Sequence, residues 1–174
     1  MSIVVVLSGL PGSGKSYLAQ TSKLEGKVFR YSTDDYIEQM AIVNNSTYTD
    51  SFELYIREAT EFMNLELKKA IEANMVVVWD QTNTKAAKRR WILSQFPEHY
   101  VKHCLAIVPP RNDREWQLLI ARIFSRPGKL IPKYVIESMF EGYEEPSLEE
   151  GFDLINIVST SGTVLELLKA EPKT

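Results

Sequence analysis

The sequence predicts an α/β fold, a parallel sheet of five strands flanked by helices, on three observations. Short apolar, β-branched runs recur along the 174 residues, and helical patterns lie between them. A glycine-rich segment joins the first run to the first helical pattern. Runs without polar alternation suit strands buried on both faces. Strands alternating with helices imply right-handed parallel crossovers. The length suits one core, so a single domain over residues 1–174 is expected.

Ile3–Leu7 is the first strand, and Lys15 to about Ser22 the first helix. Val28–Ser32 is the second strand, ending at Thr33-Asp34-Asp35. A polar loop, Asn44 to Thr49, precedes a long helix that Asp50 and Glu53 open as a capping box. On that helix Phe52, Tyr55, Ile56, Ala59, Phe62, Met63, Ala70 and Ile71 follow helical spacing and predict a core stripe. Met75–Trp79 is the third strand, and Thr84–Gln95 a basic amphipathic helix with Trp91 turned inward. Val101–Val108 is the fourth strand, closed by Pro109-Pro110, and Asp113–Phe124 the next helix. Arg126-Pro127-Gly128 breaks it, and Pro132 starts another that runs to about Tyr143, so residues of about 122–143 read as a small helical lid. Leu154–Val158 is the fifth strand and Thr163–Lys169 a last helix.

Composition narrows the class. With 44% hydrophobic and 25% charged residues the chain reads as an ordinary soluble globular protein. No apolar run approaches the roughly 18 residues of a membrane span, and the first residues lack the basic leader of a secretion signal. Cys104 is the one cysteine, which excludes an internal disulfide and fits a cytoplasmic location. It lies in a buried strand pattern flanked by His99 and His103, with no partners at zinc spacing. The net charge of −3 is uneven. From Lys85 to Lys133, 11 Lys and Arg stand against 3 Asp and Glu, while the rest of the chain carries 9 against 20. A basic middle in an acidic chain suggests an anionic ligand gripped by one region; solvated helix faces are the plainer alternative.

The segment GLPGSGKS, Gly9 to Ser16, carries the chemistry. It matches the phosphate-binding loop, one glycine, four residues, then Gly-Lys-Ser. Gly9, Gly12 and Gly14 let bare backbone approach a ligand, and the N–H groups of the loop and helix start form a nest for anionic oxygens. Pro11, Ser13 and Tyr17 complete the expected nucleotide site. Lys15 is placed to reach the β- and γ-phosphates, and the Ser16 hydroxyl to ligate Mg²⁺. A nucleoside triphosphate is therefore the expected ligand.

The strand ends supply the other groups, because ligands of such sheets bind at the carboxyl ends of strands. Asp34 or Asp35 is placed to orient an acceptor hydroxyl and take its proton, or else to cap a helix. Asp80, ending the third strand, is placed to hold Mg²⁺ or, again, to cap a helix. Arg122 and Arg126 are four residues apart and share a helix face, where they can face the transferring phosphoryl group.

These segments together resemble a known family. GLPGSGKS, then STDDY (Ser32–Tyr36), WDQTNT (Trp79–Thr84), RIFSR (Arg122–Arg126) and PSLEEGFD (Pro146–Asp153) are similar, in order, to the polynucleotide 5′-hydroxyl kinase family of P-loop phosphotransferases. The resemblance implies the adenylate-kinase-like strand order and ATP with Mg²⁺ held by Lys15 and Ser16. It implies catalysis by Asp34 at a 5′-hydroxyl and stabilisation of the phosphoryl group by Arg126, with Arg122 a weaker match. It places Asp80, Gln81, Thr82 and Asn83 in the segment after the third strand, so Asp35, Thr82 and Asn83 are expected beside the substrate. Two departures stand out. Thr33 and Ile37 occupy places where the phage member of the family carries arginines, the second of which contacts a substrate phosphate. The basic helix, through Lys85, Lys88, Arg89 and Arg90, is expected to take over part of that grip. No Asp-x-Asp-Gly-Thr of a companion phosphatase is present.

The expected function is ATP-dependent transfer of a phosphoryl group to the 5′-hydroxyl of DNA or RNA, with a nucleic-acid end as partner and no membrane. The acidic pI of about 5.5 and Ile37 favour the alternative, a kinase of a nucleoside, sugar or metabolite. A nucleotide-dependent binding module is the third reading, and the Lys15, Ser16, Asp34 and Arg126 set argues against it.

Overall fold

The computed structural model describes residues 2–21, 24–160 and 163–171. Its central strand is the first one, β1 (Ile3–Ser8), a run of valines buried on both faces. The glycine loop leads from it into α1 (Lys15–Thr21). Strand β2 (Val28–Tyr31) then enters α2 (Thr33–Val43), and the long α3 (Tyr48–Glu72) precedes β3 (Val76–Trp79). Next come α4 (Ala86–Ser94), β4 (Val101–Ile107), α5 (Asp113–Phe124) and α6 (Lys133–Glu141). A short 3₁₀ turn (Leu148–Glu150), β5 (Leu154–Val158) and β6 (Val164–Lys169) follow.

The strands form one sheet in the order β2-β3-β1-β4-β5-β6. The first five run parallel, with β1 between β3 and β4. The sixth corrects the sequence reading: Val164–Lys169 is an antiparallel strand on β5, not a helix. Its hairpin closes through a hydrogen bond from the Ser159 N–H to the Thr163 carbonyl, 2.9 Å. The physical reason is the open edge of β5, whose backbone groups need partners that a helix does not supply. The sheet is thus six-stranded and mixed, where five parallel strands were expected.

One face of the sheet carries the main core. Trp79, Tyr31, Met63, Leu67, Ile92, Phe96 and Tyr100 pack there beneath α3 and α4, and Tyr31 stacks on Trp79 at 3.8 Å. On the other face Val5, Leu7 and Val78 meet Ala19 and Leu24. A third cluster, Leu10, Leu119, Ile123 and Ile136, fixes α5 and α6 against the glycine loop. The α3 stripe is only in part core: Ala59, Met63 and Ala70 are buried, whereas Phe52 and Phe62 are 38% and 44% exposed. Phe52 faces the cleft described below and Phe62 leans on Tyr36.

The caps differ from expectation by a few residues. Ser32 caps α2 by accepting from the Asp35 N–H, so neither aspartate caps that helix. Thr47, not Asp50, caps α3: its Oγ1 accepts from the Asp50 N–H, 3.2 Å. In both helices a hydroxyl one turn earlier satisfies the free N–H that an aspartate was expected to serve. The expected end of α1 at Ser22 lies outside the described residues. No described helix is long and apolar enough to cross a membrane.

Candidate active site

The carboxyl ends of β1, β2 and β3 open into one cleft of about 1080 Å³, roofed by α5, α6 and the segment between them. The glycine loop forms its floor. Gly9, Gly12 and Gly14 adopt φ values of 151°, 71° and 100°, in the left-handed range that favours glycine. At Gly12 a Cβ would also stand 2.7 Å from Ile123 Cγ1. Pro11, Gly12, Gly14, Lys15, Ser16 and Tyr17 line the cleft, and Gly9 and Ser13 are not among its lining residues. The Gly9 N–H donates to the Thr82 carbonyl, 2.9 Å, tying the loop to the end of β3.

Lys15 is 8% exposed, and its Nζ donates to the Gly9 and Leu10 carbonyls at 3.0 and 2.8 Å. Burial lowers its pKa to about 8 against the opposing pull of Asp80 and Asp34. Among the described residues the Ser13 hydroxyl is buried with no hydrogen-bond partner, and none comes within 4 Å of where a Gly14 Cβ would stand. Open backbone at a helix start suits the oxygens of a polyphosphate. Ser16 and Asp80 share the cleft and offer hard oxygens, the donor type that Mg²⁺ takes alongside substrate phosphates. The residues present therefore fit both a nucleoside triphosphate and Mg²⁺.

The two aspartates diverge, because successive residues of a helix point about 100° apart. Asp34 faces the roof, where Oδ1 accepts from the Tyr48 hydroxyl at 2.7 Å and Oδ2 from Lys129 Nζ. Burial pushes its carboxyl up, but Lys129 and Tyr48 outweigh that and hold it below the ordinary carboxylate range. Asp35 turns to Arg30, 2.9 Å away, and burial raises its carboxyl despite that partner. Arg30 also donates Nε and Nη2 to Asp80 Oδ2, at 2.8 and 2.5 Å, so one guanidinium joins two acids. As a strand residue without a motif, Arg30 carried no signal in the sequence.

After β3, Thr82 and Asn83 both line the cleft, and Asn83 also braces the loop. Asn83 has φ 44°, is 3% exposed, and donates Nδ2 to the Leu7 and Gln81 carbonyls, 2.7 and 3.2 Å. Its Oδ1 is buried with no hydrogen-bond partner among the described residues.

The helix α4 divides its charges. Lys85, just before the helix, and Lys88 line the cleft; Lys85 Nζ donates to Glu144 at 3.3 Å, and Lys88 Nζ lies 4.1 Å from the Trp91 ring centre. Trp91 is 44% exposed and meets Trp79 edge-on, so it does not turn fully inward. Arg89 corrects the expectation of a substrate contact. It is 0% exposed, with Nε and Nη2 on the two oxygens of Glu150 at 2.7 and 2.6 Å and Nη1 on the Asn83 carbonyl at 3.0 Å. Its donors are spent inside the fold.

From the roof, Arg122 and Arg126 both reach the cleft, and Arg126 Nη2 lies 3.8 Å from Glu38. Lys129, three residues beyond Arg126, is the cation that the sequence reading missed. It is 5% exposed and spans Asp34 and Glu38, contacts 95 and 91 residues apart in sequence.

Comparison with known proteins agrees with this geometry. The chain is 28% identical over 160 residues to the L-seryl-tRNA(Sec) kinase of Methanococcus maripaludis, covering 89% of this chain and 58% of that protein. It thus spans little more than half of that curated relative. Its fold is similar to the structure of the PezAT chromosomal toxin–antitoxin system of Streptococcus pneumoniae, with TM-score 0.67 and 14% identity over 96% of this chain and 71% of the other. It is also similar to a gluconokinase from Sinorhizobium meliloti, with TM-score 0.54 and 16% identity over 92% and 83% of the two chains. The family model described as an AAA domain, AAA_33, matches residues 4–146. With the glycine loop at β1, the acids at the ends of β2 and β3 and the arginines of the roof all inside that match, the chain belongs to the AAA_33 family, described as an AAA domain.

Proposed function

We propose that this chain is a Mg²⁺-ATP-dependent kinase that phosphorylates the 5′-hydroxyl of DNA or RNA. The observation that carries the reading is the meeting of Lys15, Ser16, Asp34 and Arg126 in one cleft that Lys85 and Lys88 also line. The loop backbone and Lys15 bind the phosphates. Ser16 and Asp80 would hold Mg²⁺, which when bound neutralises charge on the β- and γ-oxygens. Asp34 accepts the hydrogen bond of the acceptor hydroxyl. The hydroxyl oxygen forms its bond to the γ-phosphorus as the bond to the β–γ bridging oxygen breaks, and the proton passes to Asp34. Arg126, with Arg122, stabilises the charge on the phosphoryl oxygens. Similarity to a kinase named for seryl-tRNA(Sec) supports an acceptor carried on nucleic acid.

A second reading, phosphorylation of a small molecule, is favoured by the acceptor wall. Asp34, Asp35, Glu38 and Glu53 line it, a poor surface for a polyanion. Labelled ATP offered with 5′-hydroxyl oligonucleotides, nucleosides and sugars separates the two. Label on the oligonucleotide end supports the first reading, and label confined to nucleosides or sugars replaces it with the second.

A further inference from the structure

Asp34 is gripped from two elements besides its own. Tyr48, at the start of α3, donates its hydroxyl to one carboxylate oxygen. Lys129, in the roof, donates to the other and lies 3.3 Å from Glu38 and 3.9 Å from the centre of the Tyr48 ring. The Lys129 side chain is 6% exposed, that of Asp34 48%. The Lys129 side chain is therefore buried at the cleft wall, while the carboxylate side chain stays half exposed there. An ionised carboxylate offers about four lone-pair sites, so an acceptor hydroxyl finds room on Asp34 without displacing either donor. The segment that carries Lys129 is itself fastened to α3. The Thr49 N–H donates to the Gly128 carbonyl at 3.3 Å, and the Leu130 N–H to Thr49 Oγ1 at 3.1 Å.

We propose that Lys129 is a positioning residue for the phosphoryl transfer, a roof-borne ammonium that orients the Asp34 carboxylate and makes its geometry depend on docking of the roof. The proposal rests on the kinase reading above. An ammonium this buried needs anionic partners, and Asp34 and Glu38 are its two partners among the described residues. The same roof brings Arg122 and Arg126 to the cleft. One docked segment therefore sets the cations on the phosphoryl side and Lys129 on the acceptor side together.

The charged and titratable groups facing Asp34 are Lys129 and Arg126 from the roof, Tyr48 from α3 and Lys15 from the glycine loop, with Glu38 sharing Lys129. Of these, Lys129 exerts the largest downward pull on the carboxyl. Without it, burial moves Asp34 upward, and the acid limb of the rate profile moves to higher pH.

The test uses the full chain with Lys129→Met and Lys129→Arg, and Lys129→Gln if circular dichroism shows the methionine variant unfolded. The Asp34 carboxyl is titrated by NMR on ¹³C-aspartate protein, assigned with Asp34→Asn, and kcat/KM is followed against pH. Lys129→Met should raise the Asp34 midpoint by about one pH unit or more, the effect of losing a close opposite charge. It should lower kcat/KM about tenfold or more while KM for ATP stays within about twofold, since it removes a group acting on the acceptor side. Lys129→Arg should restore both. An unmoved Asp34 midpoint in Lys129→Met overturns the proposal, as does an arginine variant that is equally slow with an unchanged profile. If no 5′-hydroxyl oligonucleotide accepts phosphate, the nucleic-acid reading falls, and the carboxyl titration still decides for or against Lys129.

Discussion

Arg89 and Glu150 form a bidentate ion pair inside the protein, the guanidinium 0% and the carboxylate side chain 3% exposed. It ties α4 to the 3₁₀ turn before β5, and through Arg89 Nη1 it also holds the Asn83 carbonyl at the cleft. Breaking such a pair from one side leaves a buried charge alone, a loss of about 3–5 kcal/mol. Glu150→Gln should lose stability on that scale in denaturant unfolding. The double substitution Arg89→Met with Glu150→Leu should lose less than Glu150→Gln alone. A Glu150→Gln variant as stable as wild type would contradict the pair's role in the fold.

Lys15→Ala should abolish phosphoryl transfer and leave the fold intact, because among the described residues the ammonium bonds to loop carbonyls alone. A charge clamp of this kind contributes on the order of several kcal/mol to the transition state. Its pKa, lowered by burial to about 8, gives a second outcome. Below that pH the ammonium is charged and attracts phosphate; above it the amine is neutral. Affinity for ATP should therefore weaken as pH rises through about 8. Calorimetry across that range checks it, and an affinity flat in pH would remove Lys15 from the phosphates.

Asp34→Ala should collapse kcat by roughly 10²–10⁴-fold, the usual worth of a general base, with ATP affinity little changed. Asp35→Ala should do much less to the rate, since Asp35 turns away to Arg30. That partly exposed pair contributes about 1 kcal/mol at most to stability. Steady-state kinetics of the two variants decide, and a reversed order would assign the chemistry to Asp35.

If an oligonucleotide crosses the cleft, its KM should rise steeply with salt. Each phosphate contact on a single strand adds about 0.7 to the log–log slope, so Lys85→Ala with Lys88→Ala should flatten it by about 1.4. KM for ATP should not move. Arg89 is left out of this test because its guanidinium is committed to Glu150. A salt-independent KM in the wild type would point to a small, uncharged acceptor.

Gly12→Ala should impair nucleotide binding more than Gly14→Ala. Both positions carry positive φ, but only at Gly12 does a Cβ also strike Ile123 of α5, at 2.7 Å. Thermal unfolding with and without ATP compares the two.

By itself the sequence determined the features that depend on neighbouring residues. The valine run of β1, the glycine loop and Lys15-Ser16 form one uninterrupted strand–turn–helix, whose geometry follows from apolar burial and from glycine's access to positive φ. Tertiary structure decided what depends on distant partners. Val164–Lys169 is apolar with no distinguishing period, and only the open edge of β5 makes it a strand. Arg89 read as one of four surface cations until Glu150, 61 residues away, took it into the core. Lys129 and Arg30 belong to no motif; Asp34, held by Lys129, and Asp80, held by Arg30, come from other elements, 95 and 50 residues distant. Side-chain chemistry shows which charges a site can use, but folding across long separations settles which of them stay free, because burial leaves a charge only where a partner meets it.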